Sequence, residues 1–131
     1  MIVIDSSAVI CILNDEPERV NFSTVIGRSK RRLISSVTML EISLVMFGRH
    51  RADGLQDLAD LMALISPEII EFNVAQLQVA IDAFQRYGKG VNPAAKLNLG
   101  DCVTYALAKT SGFPLLFKGN DFSATDIVSA I

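Results

Sequence analysis

Apolar and polar positions along this chain alternate between short apolar runs and stretches with helical spacing. Val3, Ile4 and their neighbours form a short β-rich run that stops at Asp5, and Ser7–Leu13 reads as one or two helical turns. Asp15-Glu16-Pro17 places a capping acid just before a proline, which predicts the start of a helix that fades near Gly27. A basic turn leads to a strand over Arg32–Ser35, and Val37–Arg49 then reads as a helix with Leu40, Leu44 and Phe47 repeating at helical spacing. Asp53 and Gly54 break that pattern. Leu55, Leu58, Met62 and Ile65 mark another amphipathic helix, ended by Ser66-Pro67 because the residue before proline is pushed out of the helical region.

Ile69–Phe72 reads as a strand. Asn73 caps a helix running to Tyr87, with Leu77, Ala80, Ile81 and Phe84 as its expected buried stripe and Gly88 as its stop. After the loop Gly88–Asn98, Asp101–Ser111 reads as a helix closed by Gly112, and Pro114–Lys118 as a strand running into the turn Gly119-Asn120-Asp121. Phe122–Ile131 carries no assignable pattern. Strands alternating with helices imply a parallel sheet covered on both faces with right-handed crossovers. The expectation is one α/β domain over residues 1–131, without repeats or linkers.

Composition narrows the chemistry. Half of the 131 residues are hydrophobic, yet no apolar run approaches the ~20 residues of a membrane span. The apolar N-terminal stretch is interrupted by Asp5, Ser6 and Ser7 and preceded by no Lys or Arg, so it does not read as a signal peptide, and a cytoplasmic protein is expected. Cys11 and Cys102 form neither a C-x-x-C pair nor a Cys/His cluster, and read as buried free thiols. The net charge of −2 does not advertise nucleic-acid binding. The cations are nevertheless bunched, Arg28, Lys30, Arg31 and Arg32 in one run and Arg49, His50 and Arg51 in another. They can serve either as phosphate contacts or as a solvated surface. Lone His50 reads as a surface residue. Tyr87, Lys89 and Lys96 are either RNA contacts or solvated loop side chains.

In a parallel sheet, the C-terminal ends of strands and the N-terminal ends of the following helices share one edge, where ligands bind. Asp5 ends the first strand, Glu41 lies in the first turn of the helix after the second, and Asp121 follows the last clear strand; Asp101 starts the helix leading into it. Carboxylates meeting there repel by ~4 kcal/mol per pair at ~4 Å and an effective dielectric of ~20. With no His or Cys among them the ligand set is all oxygen, which favours Mg²⁺ or Mn²⁺, and such an ion suits phosphodiester hydrolysis. Each acid also has a plainer reading. Thr38-Met39-Leu40-Glu41 matches a capping box, Asp101 a helix-start acid stabilised by the dipole, and Asp121 a turn residue. Asp5 has little evident structural use. It is their joint placement that points to a metal.

The opening Ile2-Val3-Ile4-Asp5-Ser6-Ser7-Ala8 resembles the hydrophobic-Asp-Ser/Thr-Ser-Ala signature of PIN domains, specifically the VapC toxins. Ser36–Ile42 resembles the segment carrying that family's second acid, Leu97–Cys102 with Ala106 its third, and Leu115–Phe122 its late strand and turn. The resemblance implies a three-layer fold with a five-stranded parallel sheet ordered 3-2-1-4-5. It also implies a metal-dependent ribonuclease with Asp5, Glu41 and Asp101 on the metal, Asp121 assisting directly or through water, and Ser6 orienting Asp5. The implied assembly is a dimer held inactive by a VapB-type antitoxin. Gly119 departs from the pattern, standing where many members carry an acid. Two other readings stay open: a phosphoacceptor receiver domain, with Lys118 after a late strand, and a PIN-like binding module whose metal site is vestigial.

Overall fold

The computed structural model describes residues 1–131. Its elements run β1 (Ile2–Ile4), α1 (Ser6–Leu13), α2 (Arg19–Arg28), β2 (Arg32–Ser35), α3 (Ser36–Ile65), β3 (Glu68–Ile70), α4 (Val74–Tyr87), α5 (Leu99–Ser111) and β4 (Leu115–Leu116). The strands pair in parallel in the order β3-β2-β1-β4. Because successive strand side chains point to opposite faces, each central strand feeds two cores. Ile2, Ile4, Ile34 and Leu116 pack with residues of α1, α2 and α3, whereas Val3, Leu33 and Leu115 pack with residues of α4 and α5. The result is the expected three-layer α/β/α arrangement.

The sheet has four strands rather than five. Where a fifth would lie, the Leu115 N–H donates to Val128 O at 2.9 Å and the Ala130 N–H to Leu115 O at 2.8 Å. Those bonds make only an isolated parallel bridge between Leu115 and Ser129. β3 and β4 are also shorter than Ile69–Phe72 and Pro114–Lys118, and α5 begins two residues before Asp101. The helix expected to start at Asp15-Glu16-Pro17 begins at Arg19 instead, with Glu18 as an N-cap whose side chain bonds no helix N–H. Asp15 takes a positive φ of 53° and pairs with Arg19 at 2.5 Å.

The break expected at Asp53-Gly54 occurs at Arg51, whose φ of 55° and ψ of −137° divide α3 into two halves. Gly54 is held against the first half so closely that a Cβ would stand 2.3 Å from Met46 O. Two apolar stripes fall differently from expectation. In the first half of α3 the buried residues are Thr38, Ile42 and Met46, while Leu40, Leu44 and Phe47 are exposed. This half-helix has two apolar faces, and only one meets the sheet. In α4 the core takes Gln76, Ala80 and Ala83; Leu77, Ile81 and Phe84 line an open groove.

Cys11 and Cys102 are buried free thiols, as expected. No helix is long and apolar enough to cross a membrane. Half of the first basic run is committed to structure. Arg31 makes two 2.9 Å bonds to Glu68 across the β2–β3 edge, and Arg32 donates to the carbonyls of Ile26 and Ile65.

Candidate active site

Asp5 leaves the end of β1 and becomes the N-cap of α1. Its backbone is extended (φ −81°, ψ 157°), and its Oδ2 accepts from the Ser7 N–H at 3.0 Å and the Ser7 hydroxyl at 2.5 Å. An acid at this position satisfies an otherwise orphaned helix N–H, so Asp5 has the structural use that the sequence did not disclose. It is nevertheless only 3 % exposed. Burial raises its pKa, against which the bonds from Ser7 stabilise the ionised form most. The leading hydroxyl on Asp5 is therefore that of Ser7, with Thr104 contributing less; Ser6 offers its backbone N–H.

Asp101 sits at the third position of α5 in a reciprocal capping box. Its own N–H bonds Asn98 Oδ1 at 2.9 Å, and its Oδ2 accepts from the Asn98 N–H at 3.0 Å. The capping box expected at Thr38–Glu41 does not exist, because α3 starts at Ser36 and is capped by Ser35. Thr38 lies inside the helix, buried against Thr104, with the two hydroxyl oxygens 3.4 Å apart. Glu41 is thus in the second turn rather than the first. Its carboxylate lies over Gly100, where a Cβ would stand 2.4 Å from Glu41 Oε2. Asp121 lies in the exposed turn after β4.

No three of these four acids bring ligand oxygens within 4.8 Å of one another, but all four share one electrostatic environment. The Asp101 carboxyl is pushed up to about 6, first by burial and then by the negative charges of Asp5, Asp121 and Glu41; the bond from Asn98 opposes the rise. None of the ion pairs in the molecule involves any of the four. An all-oxygen donor set with mutual repulsion and no ammonium or guanidinium to offset it fits a hard divalent cation. It suits neither zinc nor copper, which favour nitrogen and sulfur.

A second acidic cluster, not foreseen from the sequence, lies around Lys118. Ligand atoms of Cys11, Glu16 and Glu18 lie within 4.8 Å of one another, near enough to share a divalent ion. Here, however, the Lys118 ammonium is already bonded to Glu16 and stands 2.8 Å from Glu18. Glu16 is lowered chiefly by that bond, and Lys118 is raised by it. The cluster holds a counterion of its own, one ammonium for its two carboxylates, which the Asp101 cluster does not.

Sequence reasoning missed Ser7, Thr38, Gly100 and Thr104 as parts of the site. Helical spacing carries a signal for the two threonines, since Thr104 is three residues after Asp101 and Thr38 three before Glu41, and residues at that interval share a helix face. Beside the acids runs an apolar groove of about 610 Å³ lined by Val37, Phe72, Leu77, Phe84, Leu99 and Cys102, among others.

The PIN domain family model matches residues 2–128. The chain is 39% identical over 127 residues to Ribonuclease VapC30 of Mycobacterium tuberculosis, covering 97% of this chain and 96% of that protein. Among solved structures it is similar to Mycobacterium tuberculosis VapC20, a Sarcin-Ricin loop cleaving toxin, with a TM-score of 0.78 at 14% identity over 98% of this chain and 97% of that one. It is equally similar to a chain of VapBC2 from Rickettsia felis, at a TM-score of 0.78 and 13% identity over 98% and 96%. At those identities the structures speak for the fold, whereas the family model and the sequence relative speak for descent. The receiver-domain reading is thereby set aside, and the chain belongs to the PIN-domain family, in its VapC-type ribonuclease toxin branch.

Proposed function

We propose that this chain is a divalent-metal-dependent endoribonuclease, the toxin of a VapBC-type pair, in which Asp5, Glu41 and Asp101 hold Mg²⁺ or Mn²⁺ and Asp121 assists. The observation that carries the reading is that Asp101, raised first by burial, is raised further by the charges of the other three acids, with none of the four in an ion pair. A divalent cation held there would polarise a phosphate oxygen of the RNA and lower the pKa of the attacking water. Burial raises the Asp5 pKa, and the bonds from Ser7 oppose that rise by stabilising the carboxylate. Asn98 fixes the rotamer of Asp101 through its N–H, and Gly100 leaves the room that the Glu41 carboxylate occupies. Asp121, on an exposed turn, is free to hold a water or its proton at the open side.

Purified protein freed of any partner should cleave structured RNA with Mg²⁺ or Mn²⁺ and stop when chelator is added. Undiminished cleavage by Asp5→Asn would sink the reading, whereas an inactive wild type with no Mn²⁺-induced thermal shift would favour the vestigial module.

Its proposed partners are an RNA substrate, a second copy of the chain and a VapB-type antitoxin, and its proposed place of action is the cytoplasm. In support, the Rickettsia felis neighbour is VapBC2 bound to a DNA fragment from its promoter, and the apolar groove is lined in part by Leu99 and Cys102, which flank Asp101 in the chain. Light scattering with and without the co-expressed antitoxin tests the assembly.

A further inference from the structure

Lys118, just beyond β4, connects the two acidic clusters. Its backbone N–H donates to Ser7 Oγ at 2.9 Å, while its ammonium is held by Glu16 and Glu18 in the connection between α1 and α2. A hydroxyl has a single proton to give. Since the Lys118 N–H can only donate, it occupies a lone pair of Ser7 Oγ and leaves the hydroxyl proton for Asp5 Oδ2, 2.5 Å away. The Ser7 N–H goes to the same oxygen at 3.0 Å. Two donors on Oδ2 hold the rotation of the carboxylate, to which the Thr104 side chain and the Ser6 N–H also contribute. Between Lys118 and the buried Phe122 the turn has few contacts of its own: Gly119 has a φ of +99°, nothing lies within 4 Å of where its Cβ would be, and Asn120 and Asp121 are exposed.

We propose that Lys118 is a positioning residue: clamped by Glu16 and Glu18, it holds its own backbone N–H against Ser7 and through that hydroxyl aims Asp5 at the cation, while anchoring the turn that carries Asp121. The inference rests on reading Asp5 as a metal ligand. Partners that orient a ligand in this way are worth about 10–100-fold in metal affinity when removed.

The test is calorimetric titration of the chelator-treated full chain with Mn²⁺ alone, with circular dichroism melting of each metal-free variant. Ser7→Ala should weaken Mn²⁺ about 10–100-fold and Ser7→Thr, which keeps a hydroxyl, should restore most of it. Lys118→Met keeps the backbone N–H but loses the clamp; it should weaken Mn²⁺ by about tenfold with its metal-free melting little changed. The double variant Glu16→Gln with Glu18→Gln should reproduce that loss. Wild-type affinity in Lys118→Met or in the double variant overturns the inference, and both decide the matter even if Ser7→Ala does not fold. Asp5→Asn separates the two levels. If it binds Mn²⁺ as tightly as the wild type, the metal reading fails and takes this inference with it; if it loses Mn²⁺ while Lys118→Met does not, only the clamp fails.

Discussion

The molecule carries two acidic clusters, and they solve the same electrostatic problem in opposite ways. Around Asp101, buried and half-buried carboxylates face one another without a cation, and the Asp101 pKa rises to about 6. Around Lys118, partly exposed glutamates share an ammonium and Glu16 falls below its ordinary value. Repulsion that the protein neutralises with its own lysine is a structural feature. Repulsion left standing at the edge of a parallel sheet, where loops and helix N-termini converge, is a demand for an external positive charge. Proximity alone would point to the Lys118 cluster, where ligand atoms of Cys11, Glu16 and Glu18 lie within 4.8 Å of one another, whereas no three of the acids around Asp101 come that close. Asking which cluster already holds its counterion reverses that choice.

The sharpest way to break this contrast is to neutralise one acid in each cluster. Asp5→Asn should lower kcat/KM for RNA by more than about a hundredfold, the scale of losing one well-placed electrostatic group from a catalytic centre. Its metal-free melting point should not fall, because asparagine caps helices about as well as aspartate and no longer buries a charge. A smaller loss is expected from Gly100→Ala. The new methyl would meet the Glu41 carboxylate, the movable end of a side chain, so Glu41 must shift. Activity should drop about tenfold, a loss of ~1.4 kcal/mol in the transition state, while alanine's helix propensity, up to ~1 kcal/mol better than glycine's, holds or raises stability. Full activity in Gly100→Ala would show that Glu41 is not needed where it lies.

How much of this was legible in the sequence depended on range. The central strands and α4 announced themselves through local apolar runs, Asn73 and Gly88, because caps and turns are decided within a few residues. The choice of buried face was not local. Leu40, Leu44 and Phe47 made as good a stripe as Ile42 and Met46, and only the direction in which α3 leaves β2 settled which one met the core. The plain readings of the acids were exchanged for a similar reason. Thr38-x-x-Glu41 and Asn98-x-x-Asp101 both have cap spacing, but the first lies within a helix already capped by Ser35 and the second opens one. Asp5, which had the poorest plain reading, turned out to cap α1. A carboxylate can therefore hold a helix end and still contribute to a charge cluster. Lys118 could not be paired with Glu16 from the sequence, since 102 residues separate them and only the β1–β4 pairing brings them together.

A pH titration of metal-free protein sharpens the comparison, because the clusters have opposite signs. Asp101 has a raised pKa, so its folded form holds a proton up to about 6 while the unfolded chain releases it near 3.8. That contribution to stability is complete below the unfolded value and lost as pH rises through about 6. Glu16 is lowered, so its contribution is present above 4.5 and lost as pH falls below it. The metal-free melting point should therefore fall between about pH 4 and pH 7, and adding Mn²⁺ at pH 7.5 should restore it by binding the folded state alone. A melting point that climbs steadily over that interval, indifferent to Mn²⁺, would mean that the Asp101 cluster is satisfied from within.

The smallest effect should come from Glu16→Gln alone. Glu16 and Lys118 are both partly exposed, and pairs of this kind contribute little to stability and less in salt. Glu18 also remains to hold the ammonium. The melting point should barely move, and the small change that remains should vanish at high ionic strength. A large, salt-independent destabilisation would instead mean that the Lys118 cluster is a desolvated element of the fold, since removing one partner from a buried pair leaves the other charge without compensation. In that case the two clusters would differ in having or lacking an internal counterion, but not in how deeply the protein depends on them for folding.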